Sequence, residues 1–183
     1  MPRRGRELVA GGIYHVVARG VEQRDVFLDD TDRLRFLAIL ETVVTHLRWS
    51  CLTYCLMNNH YHLVLKTPEP DLSLGMRDVN GIYARRFNER YRRVGHLFQD
   101  RYRARLITRE RHLFATVRYI ALNPVRAGIC SAPDQWEWSS HRAIIGAVAP
   151  GCVAVSELLS QFTGAFGGTP GSNKPYIELV SPS

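Results

Sequence analysis

Lysine is almost absent from this 183-residue chain: Lys66 and Lys174 are the only two, so arginine carries nearly all of the positive charge. Paired cysteines are absent as well. The four cysteines form no CxxC motif, and Cys51 and Cys55 in an extended strand would lie roughly 13 Å apart on one face, too far to bond. They are expected to be core thiols in a reducing compartment. No long apolar run is present either: the stretch 143–155 is short and broken by Pro150-Gly151, and Met1-Pro2-Arg3-Arg4-Gly5-Arg6 leads into nothing apolar enough for a signal peptide. Internal repeats are missing too. These absences argue against a membrane span and a disulfide scaffold, and they predict a cytoplasmic chain that does not engage membranes.

What is there begins with charge. The net charge of +7 and pI near 9.6 point to a polyanionic partner, and arginine forks suit phosphates bidentately. Thirteen arginines against four acids between Arg77 and Arg126 leave a local excess of nine, more than the whole chain carries. Tyr83, Phe87, Tyr91, Phe98 and Tyr102 are interleaved with them. That mixture can pair with phosphates and stack on bases, so Arg77, Arg85, Arg86, Arg90, Arg101, Arg103 and Arg105 are the candidate nucleic-acid contacts.

Met57-Asn58-Asn59-His60-Tyr61-His62-Leu63-Val64-Leu65 places two imidazoles either side of one bulky residue in a strand-like run. Alternate strand residues share a face, so both rings would project from one rigid support and could chelate one divalent metal. Two ordinary histidines on a half-buried strand are the competing reading. His15, on an earlier strand, is assigned to the core rather than to a site.

Periodicity orders the elements. A β-branched alternation over 12–18 predicts a first strand ended by Gly20, and Asp29-Asp30-Thr31 offers capping oxygens to a helix with an apolar stripe from Leu34 to Leu47. Residues 49–56 and 61–66 read as a hairpin turning at Met57-Asn58-Asn59. Ser73 can cap a helix to about Tyr91 that packs through Leu74, Val79, Ile82, Tyr83 and Phe87. A strand over 101–107 and a helix from Thr108 or Arg109 to about Leu122, stopped by Pro124, complete the series. The order predicts an α+β fold, an antiparallel sheet backed by helices. Residues 136–141 read as a compact ordered extension, and the Gly/Pro-rich stretch 166–175 as mobile.

On the last helix, Leu113, Phe114, Val117, Ile120 and Ala121 gather into one stripe, while His112, Thr116, Tyr119 and Asn123 fall opposite. Tyr119 and Asn123 are one turn apart. A phenol near a divalent metal in a basic groove can attack a phosphodiester. His112, about three turns from Asn123, is expected to contact DNA or solvent.

Met57-Asn58-Asn59-His60-Tyr61-His62, Gly95-His96-Leu97-Phe98-Gln99, Arg118-Tyr119-Ile120 with Leu122-Asn123-Pro124-Val125-Arg126-Ala127-Gly128, and Trp136-Glu137-Trp138-Ser139-Ser140 together resemble the REP-associated tyrosine transposases of the single-tyrosine HUH superfamily, in which U is a bulky residue. The resemblance covers about residues 10–145. It implies a ferredoxin-like βαββαβ core, Mg²⁺ or Mn²⁺ as cofactor, and cleavage and joining of hairpin-bearing single-stranded DNA through a 5′-phosphotyrosine. By position it makes His60 and His62 metal ligands, Tyr119 the nucleophile and Asn123 the third ligand. It also implies a monomer rather than a dimer, with a catalytic domain at 1–145 and a partly flexible extension at 146–183. Relatives often have Pro at Asn58 and His at Ala121; the second departure would remove a polar group near the nucleophile. Two other readings stay open: a non-catalytic domesticated protein that binds single-stranded hairpins, and a metal phosphohydrolase of small substrates, which leaves the arginines unexplained.

Overall fold

The computed structural model describes residues 8–147 and 151–181; Met1-Pro2-Arg3-Arg4-Gly5-Arg6 and Pro150 lie outside them. Four antiparallel strands, β1 (Gly12–Arg19), β2 (Ser50–Leu56), β3 (His60–Thr67) and β4 (Arg103–Ile107), form a sheet in the order β2-β3-β1-β4. With α1 (Asp30–His46) between β1 and β2 and α2 (Leu72–Tyr91) between β3 and β4, this is the ferredoxin-like βαββαβ arrangement. Further on come α3 (Glu110–Ala121), the short α4 (Asn123–Arg126), α5 (His141–Ile144), α6 (Val155–Phe166) and α7 (Lys174–Val180).

Both crossover helices cover one sheet face. Tyr14, Val16 and Ala18 of β1 and Tyr61, Leu63 and Leu65 of β3 are buried there with Phe36, Leu40, Val79 and Tyr83 of α1 and α2. Asp29 caps α1, its carboxylate accepting from the Asp32 amide at 3.0 Å. The expected stripe is shorter at its start, because Leu34 is exposed. Helix α2 begins one residue before Ser73, so Ser73 is not its cap; its hydroxyl instead lies 3.2 Å from the Tyr102 hydroxyl. Leu74 also points outward.

The second face is divided along the strands. Val64, Leu52 and Ile107 are buried beneath Leu113, Val117 and Ile120 of α3 and beneath Leu158, Phe162 and Tyr176 of α6 and α7. Toward the starts of β3 and β4, His60 and His62 precede Val64 and Arg103 and Arg105 precede Ile107 in sequence. The register pairs Val17 with both His62 and Arg103, Arg19 with His60 and His15 with Arg105. One half of this face is therefore apolar and roofed by helices. The other half carries imidazoles and guanidiniums.

Residues 155–180, read from sequence as part of an extension, are largely two helices. Leu158, Phe162, Tyr176 and Val180 give them apolar faces that close the second core, and Arg118 Nε donates to the Leu179 carbonyl at 2.7 Å, tying α7 to α3. The 136–141 segment is ordered, as expected. It docks beside β2, where Leu56 N donates to Trp138 O at 2.8 Å and Trp136 Nε1 to Leu56 O at 3.1 Å.

Candidate active site

The strand alternation that separates His60 and His62 from Tyr61 builds the site. Tyr61 is fully buried on the α1/α2 face and its hydroxyl donates to Asn80 Oδ1 at 2.6 Å. The two imidazoles project from the other face, perpendicular, with centroids 5.0 Å apart. Their turn is held from several sides: Gly20 N donates to Asn59 O at 2.8 Å, and Val26 N and Phe27 N both donate to Asn58 O. Asn58 Oδ1 accepts from Arg33 at 2.7 Å. The departure at Asn58 thus gains a side-chain clamp of its own, and Arg33 is in turn enclosed by Phe27, Trp136 and Trp138.

Asn59 Oδ1 lies 2.6 Å from His60 Nδ1. With the proton on Nδ1, as that acceptor requires, His60 Nε2 keeps an unshared pair. On the other ring, His62 Nε2 faces Asn123 Nδ2 at 3.4 Å and Nδ1 faces His15 Nε2 at 3.0 Å. Burial, helped by Arg19, holds His60 down at about 4. Burial, then His60, His15 and Arg19, lowers His62 to about 3. Burial, then His112 and Arg105, lowers His15 to about 4. All three rings are neutral at physiological pH, the state in which imidazole ligates metals.

Tyr119 reaches this cluster from α3. Its ring is perpendicular to His62 with centroids 5.4 Å apart and lies 6.4 Å from His15. It is 39% exposed, accessible from outside while resting on the imidazoles. Arg126 Cζ stands 5.4 Å from the Tyr119 centroid. Helix α3 ends at Ala121 and the chain passes through Leu122 into α4, where Pro124 occupies the first turn, a position that needs no amide donor. Asn123 therefore starts a new turn, buried and directed at His62.

The donor set suits a hard divalent cation. Two imidazoles joined to one ion by bonds of about 2.1 Å bring their centroids to roughly 5 Å, close to the observed separation. The Asn123 amide supplies an oxygen of the kind Mg²⁺ and Mn²⁺ take. No group of three or more His, Cys, Asp or Glu suited to a metal occurs among the described residues.

Residues 9–123 match the family described as IS200-like transposases. The chain belongs to that family. Within it, the chain is 25% identical over 158 residues to a putative REP-associated tyrosine transposase of Haemophilus influenzae, covering 79% of this chain and 89% of that protein. A solved REP-associated tyrosine transposase bound to a REP hairpin has the same fold, with a TM-score of 0.68 and 20% identity over 84% of this chain and 92% of that one.

In this family member the arginines separate into two groups. Arg103 and Arg105 lie on the histidine face, and Arg101 just precedes β4. Arg77, Arg85, Arg86 and Arg90 belong to α2, on the other layer. Arg90 is engaged internally, pairing with Asp29 at 2.6 Å and Asp32 at 2.7 Å. The expected stacking aromatics are not available as a set either: Tyr83, Phe87 and Tyr102 are buried in the first core. Helical and strand periodicity turned residues adjacent in sequence to opposite sides.

His15 reverses its expected placement, lying in the site rather than the core. The signal was the alternation 13-15-17-19, which puts it in line with Arg19, the cross-strand neighbour of His60. Thr116 is buried despite its place opposite the apolar stripe, its hydroxyl donating back to the His112 carbonyl. Ala121 is buried in the second core, so its side chain faces apolar neighbours.

Proposed function

We propose that this chain cleaves and rejoins hairpin-bearing single-stranded DNA through a covalent 5′-phosphotyrosine at Tyr119. The observation that carries this reading is the convergence of His60, His62, Asn123 and Tyr119 on the polar half of one sheet face. The family membership and the hairpin bound by the structurally similar REP-associated protein support the choice of substrate.

His60, His62 and Asn123 would hold Mg²⁺ or Mn²⁺. Such an ion, when bound, draws charge from the scissile phosphate and favours in-line displacement. Tyr119 Oη attacks phosphorus, forming the O–P bond as the P–O3′ bond breaks; the phenol gives up its proton to solvent and the departing 3′ oxygen takes one up. A later 3′-hydroxyl reverses the exchange and frees Tyr119, so joining needs no nucleotide cofactor. Arg103, Arg105 and Arg101 carry the strand toward the site, with Arg77, Arg85 and Arg86 available to a substrate that wraps the sheet edge.

Every proposed catalytic residue comes from one chain and falls within 1–145, which favours a monomer, with α6 and α7 bracing α3. Three of the four free cysteines are buried and suit a reducing cytoplasm. No helix among the described residues is long and apolar enough to cross a membrane.

A hairpin oligonucleotide incubated with Mn²⁺ should yield a protein–DNA adduct on a denaturing gel, and Tyr119→Phe should abolish it. An adduct that survives in Tyr119→Phe rules out this nucleophile. Tight hairpin binding with no cleavage in either ion would make the chain a binding protein instead.

A further inference from the structure

We infer that His15 is a positioning residue: its Nε2 receives the Nδ1–H of His62 and fixes the tautomer that leaves His62 Nε2 unprotonated toward Asn123. The inference rests on the metal reading above and assigns a role to a residue outside the proposed ligand set.

The geometry is specific. The His15 and His62 centroids are 5.2 Å apart and their planes differ by only 28°, while the nearest nitrogens are 3.0 Å apart. The centroid separation exceeds the nitrogen separation by about two ring radii, so the rings meet edge to edge in one line. That is a hydrogen bond between imidazoles, not a stack. One nitrogen of each ring is committed to it, and His62 Nε2 faces Asn123 at 3.4 Å.

The two strands make the contact repeatable. His15 and His62 sit on adjacent strands, one step apart along the register, since His15 pairs with Val64 and Val17 with His62. His60 has its own orienting partner in Asn59 Oδ1 at 2.6 Å. Each of the two imidazoles thus has its Nδ1 engaged by a protein partner, which leaves its Nε2 as the nitrogen that would face the ion. Partners of this kind raise ligand basicity and remove the entropy of a free ring, and losing one typically costs about 10–100-fold in metal affinity.

The test compares wild type with His15→Leu, which fills the space without an acceptor, and His15→Gln, which carries an amide oxygen near the reach of Nε2. Imidazole ¹⁵N shifts in the metal-free protein report the His62 tautomer, and Mn²⁺ titration followed by electron paramagnetic resonance reports affinity. Wild type is expected to hold His62 as the Nδ1–H form. His15→Leu should give a mixture of tautomers and an affinity lower by about 10–100-fold, and His15→Gln should restore most of both. An unchanged tautomer and affinity in a folded His15→Leu protein overturns the role of His15 alone. Wild-type protein that binds no Mn²⁺ at His60 and His62 overturns the metal reading, and this inference with it.

Discussion

The two faces of the sheet follow different rules although they share every strand. Toward α1 and α2, strand positions are apolar or aromatic along most of their length, with buried Thr67 at the end of β3 the exception, and the hydroxyl of Tyr61 is satisfied by Asn80. Toward α3, the same strands carry apolar side chains over half their length and His15, His60, His62, Arg103 and Arg105 over the rest. The first face is packed along most of its length. The second gives part of its area to imidazoles and guanidiniums, of which His62 is buried, and α6 and α7 enlarge its apolar half.

This contrast is most sharply tested inside the triplet itself. His62→Ala should lower cleavage by roughly 10²–10³-fold or more, as removal of a transition-state charge stabiliser does, while leaving the denaturation midpoint near that of the parent. Tyr61→Ala should do the reverse, costing about 3–5 kcal/mol as a buried aromatic truncation. Denaturant titration and cleavage assays on the two variants would collapse the distinction if both lost the same property.

The arginines provide a smaller test. Arg90→Ala should lower the denaturation midpoint, because buried Asp32 loses its guanidinium partner, and should leave the salt dependence of DNA binding unchanged. Arg105→Ala should leave stability alone and reduce the salt slope by about 0.7 if it contacts one phosphate of a single strand. Equal slopes for the two variants would remove the functional difference between the layers.

The smallest effect concerns acidity. His15, His60 and His62 are depressed to about 4, 4 and 3, below their ordinary value of 6.5, so the unfolded chain binds more protons between these limits. Metal-free protein should therefore lose stability as pH falls from 6.5 toward 4, and His62→Gln should flatten part of that slope. Buried His141, also lowered, contributes a background that His62→Gln does not touch. A melting temperature independent of pH across this window would contradict neutral burial of the site.

Much of this was legible in the sequence, for identifiable reasons. Alternation placed β1 and the hairpin within a residue or two, and the Asp29 cap marked the start of α1. The relative placement of His60, His62, Tyr119 and Asn123 followed from a strand period, a helix period and a motif resemblance. The separation of arginines from aromatics was less legible, because Arg85, Arg86 and Phe87 are adjacent in sequence yet helical twist sends Phe87 inward. His15 was assigned to the core because its alternation with Arg19 becomes informative only once β1 is known to pair with β3, which brings Arg19 beside His60. The helices at 155–180 were obscured by the glycines and prolines between them, though Leu158, Leu159 and Phe162 already share a helical face.

Burying Tyr61 between two outward imidazoles also makes the pairing of β3 self-checking. A shift of one residue against β1 would drive both imidazoles into the aromatic core and expose the tyrosine. Chains that folded in the wrong alignment would lose their packing together with their chemistry. A stable but misaligned protein, able to grip DNA yet unable to cut it, is therefore disfavoured by the same three residues that form the motif.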